Sequence, residues 1–187
     1  MSTFLEIEAK SFIKEGEYLK LIKGSEDKCY KQINYYLDTK DFALHALELG
    51  LRVRELNGKY ELTLKVKKGE GKLEINQTIE KDLFLYIKNR LSFPDGEVKN
   101  ELLKQGIKVD ELFIFVVLTT TRLDVKYKGA LISIDKSEFN GITDYEVECE
   151  SDSINKAKSL LIEYLNKNEV HCQENFTTKL KRAKDSL

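Results

Sequence analysis

The sequence predicts a mainly antiparallel β domain with attached helices (α+β), and three observations carry that reading. About eight segments alternate apolar and polar residues with a period of two, as a strand does when one side faces a core. Most follow one another through short turns. Two of the turns, Asn57-Gly58 and Asn140-Gly141, supply the positive φ angles of a tight hairpin. Helical patterns gather in the middle of the chain and near its end, an order that favours strands pairing with their sequence neighbours. Eight alternating strands can close on themselves and leave no sheet edge exposed. Closure into a barrel is therefore an arrangement open to these strands.

Each element has its own pattern. Residues 4–10 place Leu5, Ile7 and Ala9 on one face and Glu6, Glu8 and Lys10 on the other. Residues 15–23 read as a short helix with Tyr18, Leu19 and Ile22 on its apolar side. Residues 28–38 are aromatic and strand-like. Residues 50–56 and 59–66 alternate on either side of Asn57-Gly58, and residues 72–80 read as a further strand. Two helices follow at 82–91 and 97–105, broken at Pro94-Asp95-Gly96. Strands return at 112–126, 130–136 and 143–150. Residues 153–166 carry Ile154, Ala157, Leu160, Leu161, Tyr164 and Leu165 in a helical stripe behind an Asp152/Ser153 cap. A polar tail, residues 177–187, ends the sequence.

Composition sets outer bounds. The 187 residues suit one domain, 1–187, and 41% hydrophobic residues suffice for its core. Ten glycines and one proline argue against a linker-rich or disordered chain. No apolar run approaches the ~18 residues that span a bilayer, and the first residues lack the pattern of a secretory signal. Cys29, Cys149 and Cys172 have no metal-type spacing. The expectation is a reduced, cytoplasmic protein with no membrane partner.

The placement of charge is more informative than its near-zero total. A solvated polar face is the ordinary reading of any one strand, but here the pattern recurs. Arg52 and Arg54 share a face, Glu61, Thr63 and Lys65 another, and Glu74 sits between Leu73 and Ile75. Arg122, Asp124 and Lys126 alternate with apolar residues, as do Ser133 with Asp135 and Glu146 with Glu148 and Glu150. Successive same-face carboxylates lie about 7 Å apart, and such a row is unfavourable unless cations neutralise it. Arginines and lysines on neighbouring strands, or a divalent metal, would do so. Carboxylates without a histidine or thiolate cluster suit a hard ion, Mg²⁺ or Mn²⁺. His45 and His171 stand alone, so zinc is not expected. Acids and bases on one face suit a metal-bound polyanion, with Arg and Lys on phosphate oxygens and glutamates on the metals. A nucleic-acid partner is not expected, because acids interrupt the basic positions and the chain is not basic overall. Lys68-Gly69-Glu70-Gly71-Lys72 lacks the spacing of a phosphate loop and reads as a turn.

These residues resemble the CYTH domain, or triphosphate tunnel metalloenzyme, family. Glu6-Ile7-Glu8-Ala9-Lys10 matches its Glu-x-Glu-x-Lys opening. The likeness continues through Asn34-Tyr35-Tyr36-Leu37-Asp38-Thr39, Leu51-Arg52-Val53-Arg54, Leu62-Thr63-Leu64-Lys65 and Leu73-Glu74-Ile75. It then runs through Thr121-Arg122, Asp135, Tyr145-Glu146-Val147-Glu148 and Thr178-Lys179-Leu180-Lys181-Arg182. The set covers nearly the whole chain in the family's order and is most similar to the small bacterial single-domain branch. The resemblance implies an eight-stranded closed antiparallel β-barrel whose lumen is a tunnel for a small-molecule triphosphate. It implies metal ligands at Glu6, Glu8, Glu74, Asp135, Glu146 and Glu148. It also implies phosphate contacts from Lys10, Arg52, Arg54, Lys65, Arg122, Lys179 and Arg182, with Glu6, Glu8, Lys10 and Lys65 nearest the chemistry. Glu148/Glu150 would satisfy the late Glu-x-Glu as well; Tyr145 before Glu146 favours Glu146/Glu148. Vertebrate thiamine-triphosphatase relatives carry tyrosine where this chain has Leu37, so no thiamine specificity is implied.

The expected activity is a divalent-metal-dependent triphosphatase, a hydrolase cleaving inorganic tripolyphosphate or a small organic triphosphate. A class IV adenylate cyclase shares the same motifs, with the ribose 3′-hydroxyl of ATP replacing water. A non-catalytic polyphosphate-binding module would keep the cations and could dispense with the carboxylates, all of which are present.

Overall fold

The computed structural model describes residues 2–175 and 177–187. In chain order its elements are β1 (Ser2–Glu6), β2 (Glu8–Phe12), α1 (Glu15–Ile22), β3 (Tyr30–Asp38), α2 (Ala43–Ala46), β4 (Leu49–Leu56), β5 (Lys59–Lys68) and β6 (Gly71–Ile79). They continue with α3 (Lys81–Lys88), α4 (Glu97–Lys104), β7 (Phe113–Tyr127), β8 (Ala130–Phe139), β9 (Ile142–Glu150), α5 (Ile154–Lys167), β10 (Gln173–Glu174) and α6 (Lys179–Asp185). No helix among the described residues is long and apolar enough to cross a membrane.

The chain forms two compact units. The first joins residues 2–5 to Gln32–Leu118, and the second joins Glu6–Lys31 to Thr119–Leu187. In the first, the strand order is β1-β6-β5-β4-β3-β7; in the second it is β7-β8-β9-β2-β10.

The two sheet faces follow from the period of two, and helices cover one of them. In the first unit Leu51 and Val53 of β4, Leu62 and Leu64 of β5 and Ile75 of β6 form one core with Phe84 and Ile87 of α3 and Val98 and Leu102 of α4. In the second, Ala9, Ile132, Ile134, Val147 and Cys149 pack on Tyr18 and Ile22 of α1 and on Ala157, Leu161, Tyr164 and Leu165 of α5. Spacings of four, seven and eight place the α5 residues on one stripe. The predicted cap is present: the Ser153 side chain accepts a hydrogen bond from Lys156 N. The strands of each unit thus spend one face on a helix-backed core, and the alternate residues form a polar face.

Two-residue turns lock the register. Leu56 pairs with Lys59 across Asn57 and Gly58, whose φ values are 52° and 73°. Phe139 pairs with Ile142 across Asn140 and Gly141, at 47° and 78°. A slip of one residue would move every charge on those strands to the apolar side.

The closed eight-stranded barrel expected from the sequence is corrected: among the described residues the strands form a ten-stranded sheet whose hydrogen-bonded order ends at β1 and β10. Ile7 interrupts the alternating segment 4–10, so that β1 joins β6 while β2 pairs with β9. Gln173 and Glu174 add a short edge opposite Phe12 and Ser11. The polar tail also needs correction, because Thr178 caps a helix there by accepting from Lys181 N.

Candidate metal and phosphate site

Strand register assembles a charged cluster on the polar face of the second unit. Phe12, Glu146, Asp135 and Arg122 lie opposite one another in turn across β2, β9, β8 and β7. On the adjacent row Lys10 faces Glu148, and Glu148 faces Ser133. Helix α6 adds Lys179 and Arg182, three residues apart and therefore on one side of the helix.

The oxygens of Asp135, Glu146 and Glu148 include one from each residue within 4.8 Å of the others. Asp135 and the Glu146 side chain are fully buried, and 12% of the Glu148 side chain is exposed. Four cations surround this trio. The Lys179 ammonium lies 2.7 Å from Asp135 Oδ2 and 2.9 Å from Glu148 Oε1, and it also pairs with Glu146 Oε1. Arg122 donates from Nε to Asp135 Oδ1 at 2.7 Å, and from Nη2 to Asp135 Oδ2 at 2.5 Å and Glu148 Oε2 at 2.6 Å. Lys10 bridges Glu148 at 2.7 Å and Glu8 at 2.9 Å. Arg182 donates to Asp144 at 2.7 Å and to Glu146 Oε2 at 2.8 Å. The row of like charges is thus neutralised by the protein's own cations.

Burial and charge compete over each carboxyl. Burial alone would raise Glu148, but Lys10, Lys179 and Arg122 together hold it well below the usual carboxylate range. Asp135 is lowered in the same way, burial being outweighed by Lys179 and Arg122. Glu146 goes the other way: burial raises it, the Glu148 charge adds to the rise, and Lys179 only partly opposes them. On the cation side, burial disfavours the charged Lys179, yet Asp135, Glu146 and Glu148 outweigh it and raise its pKa.

Other candidates fall in different surroundings. Glu8 reaches the cluster through Lys10. Glu6 ends β1 and is not a member of the trio. In the first unit, Arg52 and Arg54 share the polar face of β4, opposite Thr63 and Glu61. Arg54 Nε donates to Asn34 Oδ1 at 3.0 Å. Lys65 stands opposite Glu74 on β6 and pairs with it. Burial would raise the Glu74 carboxyl, but Lys65 and Arg52 hold it below its ordinary value. Thr63 Oγ1 and Asn76 Oδ1, on facing positions of β5 and β6, are buried without a hydrogen-bond partner.

Sequence reasoning missed Asn175, which donates to Glu146 Oε2 at 2.9 Å, and Asp144, which orients Arg182. Asn175 is held by its backbone bond to Lys10 O, a pairing between distant parts of the chain with no local signature. Asp144 precedes the Glu-x-Glu pair by two residues and shares its strand face, so the alternation could have included it.

All-oxygen ligands at this spacing fit a hard divalent cation, whose bonds to oxygen run about 2.0–2.6 Å. Known proteins resemble this chain over most of its length. The "Putative triphosphatase YjbK" of Bacillus subtilis is 35% identical over 156 residues, covering 81% of this chain and 80% of that protein. The crystal structure of a "putative adenylate cyclase" from Bacillus halodurans aligns with a TM-score of 0.90 and 31% identity, covering 97% and 98% of the two chains. The Hippeastrum protein HpAC1 shares the fold at a TM-score of 0.78 and 21% identity, over 96% of this chain and 95% of its own. The CYTH domain profile matches residues 5–180, across both units and every residue of the trio, and the chain belongs to the CYTH domain family.

Proposed function

We propose that the protein is a divalent-metal-dependent triphosphatase acting on inorganic tripolyphosphate or a small organic triphosphate. The observation that carries this reading is the buried carboxylate trio ringed by Lys10, Arg122, Lys179 and Arg182. The trio can hold Mg²⁺ or Mn²⁺, and the ring can hold phosphate oxygens. The similarity to a bacterial protein named as a triphosphatase supports the same class.

Asp135, Glu146 and Glu148 are assigned to metal ligation, with Glu6, Glu8 and Glu74 as further carboxylates of the family pattern. Lys10, Arg122, Lys179 and Arg182 are assigned to phosphate in the second unit, and Arg52, Arg54 and Lys65 in the first. Arginine forks match two phosphate oxygens at once, whereas lysines act as point charges. When bound, the metal supplies charge neutralisation and polarises a phosphoryl oxygen. The protein's cations hold the equatorial oxygens as water attacks the terminal phosphorus in line. A new phosphorus–oxygen bond forms from water, the bridging bond breaks, and the water's proton leaves with the products.

The likeness to a structure named for adenylate cyclase keeps ATP cyclisation as the second reading. A product assay separates the two. Tripolyphosphate, ATP and thiamine triphosphate are each supplied with Mg²⁺ or Mn²⁺, and orthophosphate, diphosphate and cyclic AMP are measured. Orthophosphate release that stops in excess chelator is expected. Cyclic AMP with diphosphate would establish the second reading, and turnover undiminished by chelator would refute metal dependence.

A further inference from the structure

Lys179 has an unusual seat. An ammonium group has three donors, and here it meets three separate carboxylates, Asp135, Glu146 and Glu148. These are the oxygens that would bind a divalent ion. Lys10 and Arg122 touch the same cluster differently. Lys10 bridges Glu148 to Glu8, and Arg122 approaches from the β7 side with its fork on Asp135. Neither contacts all three carboxylates.

We propose that Lys179 is an exchangeable internal cation, seated where the metal binds and obliged to leave before a divalent ion can be held. This rests on reading the trio as a metal site. An ion about 2.0–2.6 Å from the same oxygens would stand too close to an ammonium already within hydrogen-bond reach of them, and two like charges at that range repel strongly. The rest of α6 need not follow. Arg182 is anchored to Asp144, and Asn140 donates to Ala183 O at 3.2 Å and Ser186 Oγ at 3.0 Å, so the helix keeps its far end while the lysine stem swings away. A displaced ammonium needs a new anion, and a polyphosphate supplies one. Metal and polyphosphate therefore assist each other: the metal frees Lys179 for phosphate, and phosphate draws Lys179 from the metal's seat.

The test measures binding rather than turnover. Chelator-treated wild type, Lys179→Met and Lys10→Met are titrated with Mn²⁺ without any polyphosphate, by calorimetry and by the spin resonance of free Mn²⁺. Lys179→Met should bind about tenfold tighter or more than wild type, because its competitor is gone. Lys10→Met removes the same charge and leaves the seat occupied, so its gain should be much smaller. In wild type, amine-reactive labelling of Lys179, read by mass spectrometry, should rise when Mn²⁺ is added. Equal affinities in wild type and Lys179→Met, or equal gains in the two variants, would overturn the exchange while sparing the metal site. Should Lys179→Met fail to fold, the wild-type labelling decides alone, and continued protection of Lys179 under saturating Mn²⁺ overturns the proposal. Absence of Mn²⁺ binding by folded wild type and folded Lys179→Met would remove the metal reading itself.

Discussion

Arg122 shows how much one residue in the cluster holds together. Its guanidinium meets both oxygens of the fully buried Asp135 and one of Glu148. Truncation to alanine would take two hydrogen bonds from Asp135 and one from Glu148 and leave Lys179 as the cation on Asp135, and a broken buried pair costs about 3–5 kcal/mol. Denaturant unfolding of Arg122→Ala should show a loss of that order, and a loss below about 1 kcal/mol would mean that water or a neighbour replaces the guanidinium. Glu146 and Glu148 should respond differently to removal of their charge. Glu148 is held ionised by Lys10, Lys179 and Arg122, whereas burial works against the charge on Glu146. With chelator present, Glu148→Gln should therefore destabilise the fold more than Glu146→Gln, read as unfolding midpoints on one denaturant scale. The residues of this cluster were legible because alternation puts Arg122, Asp135, Glu146 and Glu148 on polar faces one strand at a time. Asn175 was not, since its position depends on a contact between distant segments.

Among the elements, the hairpins were the easiest to read and the ends of the chain the hardest. Asn57-Gly58 predicted a tight turn, and both residues adopt positive φ. Gly58→Ala should cost about 1–2 kcal/mol, the penalty for placing a Cβ in the left-handed region, and an unchanged unfolding midpoint would show that the turn relaxes to another type. The alternation of residues 4–10 hid the break at Ile7, because period alone does not reveal where a strand changes partners. Helix α6 escaped because Lys-Leu-Lys-Arg-Ala-Lys-Asp has no apolar stripe; its local signal is the Thr178 cap. Thr178→Ala removes an acceptor for Lys181 N and should cost about 1 kcal/mol. Loss of more than one helical turn by circular dichroism would show that the cap holds the whole of α6.

At the scale of the whole molecule, the cluster imposes a pH profile on stability. Glu148 and Asp135 have folded-state values below their ordinary 4.5 and 3.8. Their stabilisation is present above those ordinary values and is lost as pH falls through the lowered ones. Glu146, raised above 4.5, works in the opposite sense and blunts the acid edge: its contribution is present below 4.5 and is lost as pH rises through the raised value. Lys10 and Lys179 are raised above 10.5, so their contribution holds below 10.5 and is lost as pH rises through their folded-state values. Chelator-treated protein should show a broad maximum of thermal stability, with an acid edge below the ordinary carboxylate range and an alkaline edge above 10.5. A single steep change across neutrality would contradict it. The same two-sided strands bear on how such a protein can change. On β4 the odd positions Leu51 and Val53 lie in the core and the even positions Arg52 and Arg54 do not; on β8 the parity is reversed, with Ile132 and Ile134 in the core. Heredity can therefore rewrite one parity class and leave the other alone, and new ligand preferences can arise on a scaffold whose folding instructions are untouched. A lone inserted codon within β5 or β9 would scramble both texts at once, whereas the same codon in a hairpin tip would be read as slack.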